Sequence, residues 1–114
     1  MNKTFKLLAP AIAAAAVVVV VALPAQAVDA DAAQALAKKS NCMKCHSVSA
    51  KKEGPSFKEV AAKYKGQADA EQKLVTHLTT TPKIKVEGKE EEHPAVKTTD
   101  ANETKNLAQW ILAQ

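Results

Sequence analysis

Hydrophobic and polar positions divide the chain into two unequal parts. Leu7 to Leu23 is apolar throughout, with unbroken runs at Ala13 to Ala16 and Val17 to Val21. Beyond Val28 polar residues dominate, and apolar ones return at helical spacing. A first helix is predicted over Ala30 to Lys39, where Asp29 and Asp31 stand at the start and Lys38 and Lys39 at the end, the order a helix dipole favours. A second is predicted over Ser56 to Tyr64, closed by Gly66. A third, Asp69 to Thr79, places Leu74, Val75 and Leu78 at helical spacing. Thr80 to Lys97 holds Pro82, Gly88, Pro94 and four acids without a sustained period, and reads as a loop. The last helix starts at Asp100, which has capping-box spacing with Glu103, and Leu107, Trp110 and Ile111 form its apolar stripe. With no strand pattern and no internal repeat, the expected architecture is all-α.

The apolar run belongs to a leader. Lys3 and Lys6 give it a basic head, Pro24 ends it, and Ala25-Gln26-Ala27 supplies a small-x-small exit. That order is a secretory signal peptide, with cleavage expected after Ala27. An uncleaved anchor is the rival. The run is short for a bilayer core of about 30 Å, and Pro10 interrupts it. Residues 28–114 then form one domain, 87 of the 114 residues.

Such a small domain buries little apolar surface, and Phe57, Tyr64 and Trp110 are its only aromatic residues besides the histidines. Two cysteines make at most one disulfide, so a large apolar cofactor at the centre would fill the deficit. Charge points to no nucleic acid. The chain has sixteen lysines, no arginine and twelve acids; losing Lys3 and Lys6 leaves +2.

Both cysteines fall in the unit Cys42-Met43-Lys44-Cys45-His46. A Cys-x-x-Cys-His turn presents two thiols to one porphyrin edge, each adding across a vinyl group, while the following imidazole rises over the ring to meet iron. Cys42 and Cys45 are thus the expected tethers and His46 the first axial ligand. A redox dithiol belongs beside a βαβ pattern, and zinc requires a second ligand pair; neither is present. A plain disulfide leaves the histidine unexplained.

The order of elements resembles the small bacterial class I cytochromes c. It runs from an Ala-rich first helix into Cys42-Met43-Lys44-Cys45-His46, then Gly54-Pro55-x-Phe57, Val60-Ala61-x-x-Tyr64, a Leu74/Leu78 helix and a closing Leu107-Ala108-x-Trp110-Ile111 helix. The resemblance covers residues 28–114. It implies that the first and last helices cross around one covalently bound haem c, held in a crevice closed by the distal loop. It also implies that the Pro55 carbonyl accepts a hydrogen bond from Nδ1–H of His46, leaving Nε2 for iron.

One departure from the family stands out. The family supplies a Met-Pro pair as second ligand from the distal loop, whereas this chain reads His93-Pro94 there. Met1 leaves with the leader, and Met43 is fixed between the tethers on the proximal side. His93 is therefore the expected distal ligand, opposite His46. His77 on the third helix, Lys89 in the loop and an open sixth position are the alternatives. One iron shared by two imidazoles requires their nitrogens about 4 Å apart. A second imidazole also lowers the potential below that of Met-ligated relatives.

A six-coordinate haem implies a one-electron carrier in the periplasm; an open or displaceable sixth position would instead imply a haem enzyme or small-gas sensor. The carrier is the expected function, since no acid, base or arginine constellation faces a distal site. Lys38, Lys39, Lys44, Lys51 and Lys52 crowd the motif, and Glu87, Glu90, Glu91 and Glu92 crowd the distal loop. Both runs read first as solvated faces. A basic rim would also suit redox partner proteins with an acidic docking face. The expected protein is a monomer, reaching a membrane only through a partner or an uncleaved signal.

Overall fold

The computed structural model describes residues 9–21 and 27–114. Residues 9–21 carry no helix or strand and are exposed; Lys3, Lys6, Ala25 and Gln26, on which the leader reading rests, lie outside the described residues. Among the described residues no helix is long and apolar enough to cross a membrane.

Among the described residues four helices form the body: α1 (Ala30–Lys39), α2 (Phe57–Tyr64), α3 (Ala70–Thr79) and α4 (Ala101–Leu112), with a short 3-10 turn at Cys42–Lys44. α4 packs against all three other helices. Its Leu107 and Ala108 are fully buried, and α1 meets it with Ala33 and Ala37, one helical turn apart and both buried. Small side chains four residues apart let two helices approach closely, so the terminal helices cross where α1 is narrowest. A two-hydrogen-bond clip secures the crossing: Asp29 N–H donates to Asn106 Oδ1 at 2.9 Å, and Asn106 Nδ2–H donates to the Asp29 carbonyl at 2.8 Å. Trp110 of α4 meets Phe57 of α2 edge to face, centroids 5.5 Å apart, a favoured aromatic geometry.

Helix starts follow the sequence, with one exchange of roles. Asp29 caps α1 through Ala32 N–H. The reciprocal capping box belongs to α2: Ser56 Oγ accepts from Glu59 N–H at 3.1 Å, and Glu59 Oε2 accepts from Ser56 N–H at 2.7 Å. At α4, Asp100 accepts from Asn102 and Glu103 N–H, but its own N–H goes to Thr98 Oγ1, and that hydroxyl donates to the Glu103 carboxylate. Thr98 thus relays what Glu103 was expected to do directly.

The segment expected to be a loop is in part a sheet. Lys83–Val86 (β1) and Lys89–Glu92 (β2) pair antiparallel, with Lys83 opposite Glu92 and Val86 opposite Lys89. Glu87 and Gly88 both have positive φ, 49° and 80°, as a two-residue type I′ hairpin turn requires. Ile84 and Val86 share the half-buried face while Lys83 and Lys85 are exposed, and Lys83 Nζ lies 3.2 Å from Glu90 Oε1. Among the described residues the fold is therefore helical in class, as expected, with one short hairpin inside the segment read as a loop.

Candidate functional site

α1 ends where Ser40 N–H bonds the Leu36 carbonyl and Asn41 turns left-handed at φ 58°. Asparagine tolerates that conformation, and the turn throws the chain straight into the motif. Cys45 and His46 N–H both donate to the Cys42 carbonyl, at 3.3 and 3.0 Å, folding the five residues into one tight turn. The two cysteines are not joined to each other by a disulfide. Burial pushes the Cys42 thiol above its ordinary pKa. Cys45 rises through desolvation and then through Glu53, whose Oε2 accepts from its Sγ at 3.4 Å.

His46 is fixed from three sides. Its Nδ1–H donates to the Pro55 carbonyl at 2.6 Å, which fixes the tautomer of the neutral ring and turns Nε2 to the cofactor side. Phe57, itself buried, stacks on the imidazole with centroids 5.4 Å apart and planes 21° from parallel. Gly54 closes the third side: a Cβ there would lie 2.7 Å from His46 Cε1 and 3.1 Å from the Cys45 carbonyl, so only glycine fits. Sequence reasoning assigned no site role to Gly54, Phe57 or Glu53. The first two stand in the Gly-Pro-x-Phe string, which was legible as a turn before a helix but not as the housing of an imidazole.

Across a largely apolar cleft stand two further imidazoles. The cleft lies between the motif, Phe57, Leu74, Leu78, Val96 and Ile111 and opens to solvent. His93 and His77 both line it. The His93 N–H bonds the Pro82 carbonyl at 2.8 Å, closing the base of the hairpin; Val96 N–H bonds the Leu78 carbonyl at 2.9 Å, and Lys97 N–H bonds Ser40 Oγ at 2.9 Å. These bonds pin the His93-Pro94 segment against α3 and the end of α1. Lys89 sits beside the hairpin turn, exposed and outside the cleft. Burial pushes the pKa of His77 below its ordinary value, helped by His93, Lys63 and His46. Burial also lowers that of His93, with His46 adding and the Pro94 backbone opposing. Both rings are therefore biased toward the neutral imidazole that binds metals.

The cleft fits a haem. His46 and His93 face each other with ring centroids 6.2 Å apart and planes at 47°. Two metal–nitrogen bonds of about 2 Å, extended on each side by the ring, give a centroid separation of about 6 Å. Nδ1 of His93 is buried without a hydrogen-bond partner, a state that costs about 1–3 kcal/mol unless something takes the atom. Among the described residues no three His, Cys, Asp or Glu side chains are grouped to hold a bare metal ion.

A sequence model of the family described as cytochrome c matches residues 30–114. The chain is 45% identical over 82 residues to cytochrome c-552 of Hydrogenobacter thermophilus, covering 68% of this chain and 76% of that one. It is 36% identical over 92 residues to cytochrome c-551 of Pseudomonas aeruginosa, covering 81% and 86%. Among solved structures, the class 1 cytochrome MtoD from Sideroxydans lithotrophicus ES-1 matches with a TM-score of 0.74 and 50% identity, covering 76% of this chain and 97% of that one. In that family the Cys42, Cys45 and His46 unit implies one covalently bound haem c. The chain belongs to the cytochrome c family and is a monohaem electron carrier, not an enzyme.

Proposed function

We propose that the protein is an exported carrier working in the periplasm, with His46 and His93 as the two axial ligands and a potential below that of its Met-ligated relatives. The carrying observation is the 6.2 Å separation of the two imidazoles across the cleft. When bound, the haem takes up and releases one electron. Cys42 and Cys45 tether it, and His46, held by Pro55, offers a single nitrogen of fixed tautomer. His93 fills the position where the family has methionine. The apolar walls, Phe57, Leu74, Leu78 and Ile111, keep water from the metal.

Charge supports the reading of partners. Lys38, Lys39, Lys44, Lys51 and Lys52 are exposed around the motif, and Lys52 Nζ donates to the Met43 carbonyl at 2.7 Å, lying against the tethering turn. A basic rim there would steer an acidic redox partner, less strongly as salt rises. The apolar run from Leu7 to Leu23 and the small-residue exit support export and cleavage after Ala27.

Mass spectrometry and spectroscopy of the exported protein test the whole reading. The chain is expected to begin at Val28, carry one haem, and give low-spin ferric spectra without a thioether-to-iron band. A folded, colourless product would sink it, and a high-spin ferric signal would remove His93 from iron.

A further inference from the structure

His77 and His93 come from different elements and meet in the cleft, ring centroids 4.5 Å apart and planes at 58°. His77 stands on the last turn of α3, three residues after Leu74 and next to Leu78, both buried, so its ring lies on the helix face that lines the cleft. His93 has no helix of its own; it follows β2 and is held by its backbone bond to Pro82. A distal cleft with one imidazole at the metal leaves the second beside it.

Resting on the assignment of His93 as the distal ligand, we infer that His77 is a reserve ligand, one that takes the sixth iron position whenever His93 leaves it. Moving His77 into the space of the His93 ring asks for a change of side-chain rotamer, with α3 staying in place. Among the described residues that line the cleft beyond the motif, Pro94, Val96, Leu74 and Leu78 are apolar, Ser40 and Asn41 are neutral oxygen and amide groups rather than imidazoles, and Lys89 is out at the hairpin turn. The device keeps the iron closed. A carrier whose distal ligand is lost would otherwise bind small molecules and acquire oxygen chemistry; here one imidazole replaces another.

Four holoproteins test this: wild type, His93→Ala, His77→Ala and the double variant, each followed by ferric electron paramagnetic resonance and by carbon monoxide binding to the ferrous form. Wild type and His77→Ala are expected to be low-spin. His93→Ala is expected to stay low-spin with shifted g-values, and the double variant to lose the low-spin signal and bind carbon monoxide without delay. Added imidazole should restore the low-spin signal of the double variant, which shows its cleft intact. A high-spin His93→Ala overturns the reserve role while leaving His93 as the ligand. A high-spin His77→Ala shows that His77 is the resting ligand, and the assignment of His93 falls with it. A double variant that stays low-spin means another group fills the position, which also overturns the inference. Should the double variant fail to take up haem, His93→Ala combined with His77→Gln gives the same comparison.

Discussion

Phe57 lies flat against the imidazole of His46 and turns its edge to Trp110, so one buried ring joins the proximal ligand to the core of α4. Phe57→Ala should therefore do two things at once. It should cost about 3–5 kcal/mol of stability, the usual penalty for emptying a buried aromatic site. It should also free the His46 ring, visible as a change in the haem proton shifts of the oxidised protein. Phe57→Leu keeps most of the volume and should recover most of the stability but not the spectrum. Equal recovery of both would mean that packing alone matters.

Gly54 tests the same housing from the opposite side. Gly54→Ala places a methyl group 2.7 Å from His46 Cε1 and 3.0 Å from Nδ1. Neither neighbour yields easily, because the imidazole is held by Pro55 and the Cys45 carbonyl is backbone. The expected result is a lower unfolding midpoint and a disturbed His46 to Pro55 hydrogen bond, read as a shift of the Nδ1 proton resonance. An unchanged resonance would show that the ring moves aside without cost.

The capping box of α2 gives a prediction with a pH sign. Ser56→Ala should cost about 1 kcal/mol by removing the acceptor for Glu59 N–H. In return, the Ser56 backbone N–H holds the Glu59 carboxyl below the usual carboxylate range. A carboxyl depressed in the folded state contributes stability above its ordinary pKa and loses it as pH falls through the depressed value. The difference between wild type and Glu59→Gln, followed by denaturation from neutral to acid pH, should be largest at neutral pH and shrink in acid. A difference that grew in acid would reverse the assignment.

How legible this was in the sequence varied by element, for physical reasons. α1 announced itself through Asp29, Asp31, Lys38 and Lys39 because charge at helix ends is a local signal. The hairpin did not. Lys83-Ile84-Lys85-Val86 alternates and Glu87-Gly88 suits the turn, but Pro82 and Pro94 flank it and the Glu90 to Glu92 run looks like a solvated loop. A two-stranded hairpin gains its stability from what it packs against, and that is invisible locally. The meeting of His77 and His93 was equally hidden. It depends on the hydrogen bonds from His93 to Pro82 and from Val96 to Leu78, which fold the segment back on α3. The tethering motif was readable in full because five consecutive residues contain all of its chemistry.

Redox titration gives the last prediction, through the identity of the atom offered at position 93. A thioether is a soft ligand that favours ferrous iron, whereas an imidazole favours ferric, so methionine with histidine raises the potential of a c-type haem relative to two histidines. His93→Met restores the family's Met-Pro string ahead of Pro94. Its methionine would start from a segment already pinned to α3 and the end of α1, facing a His46 whose ring does not depend on the change. The midpoint should therefore rise, and a thioether-to-iron absorption band should appear in the oxidised protein. Because the substitution leaves Cys42, Cys45, His46 and the lysine rim untouched, the rise can be assigned to the ligand itself. A midpoint that stayed level or fell, with no new band, would mean that position 93 does not reach iron.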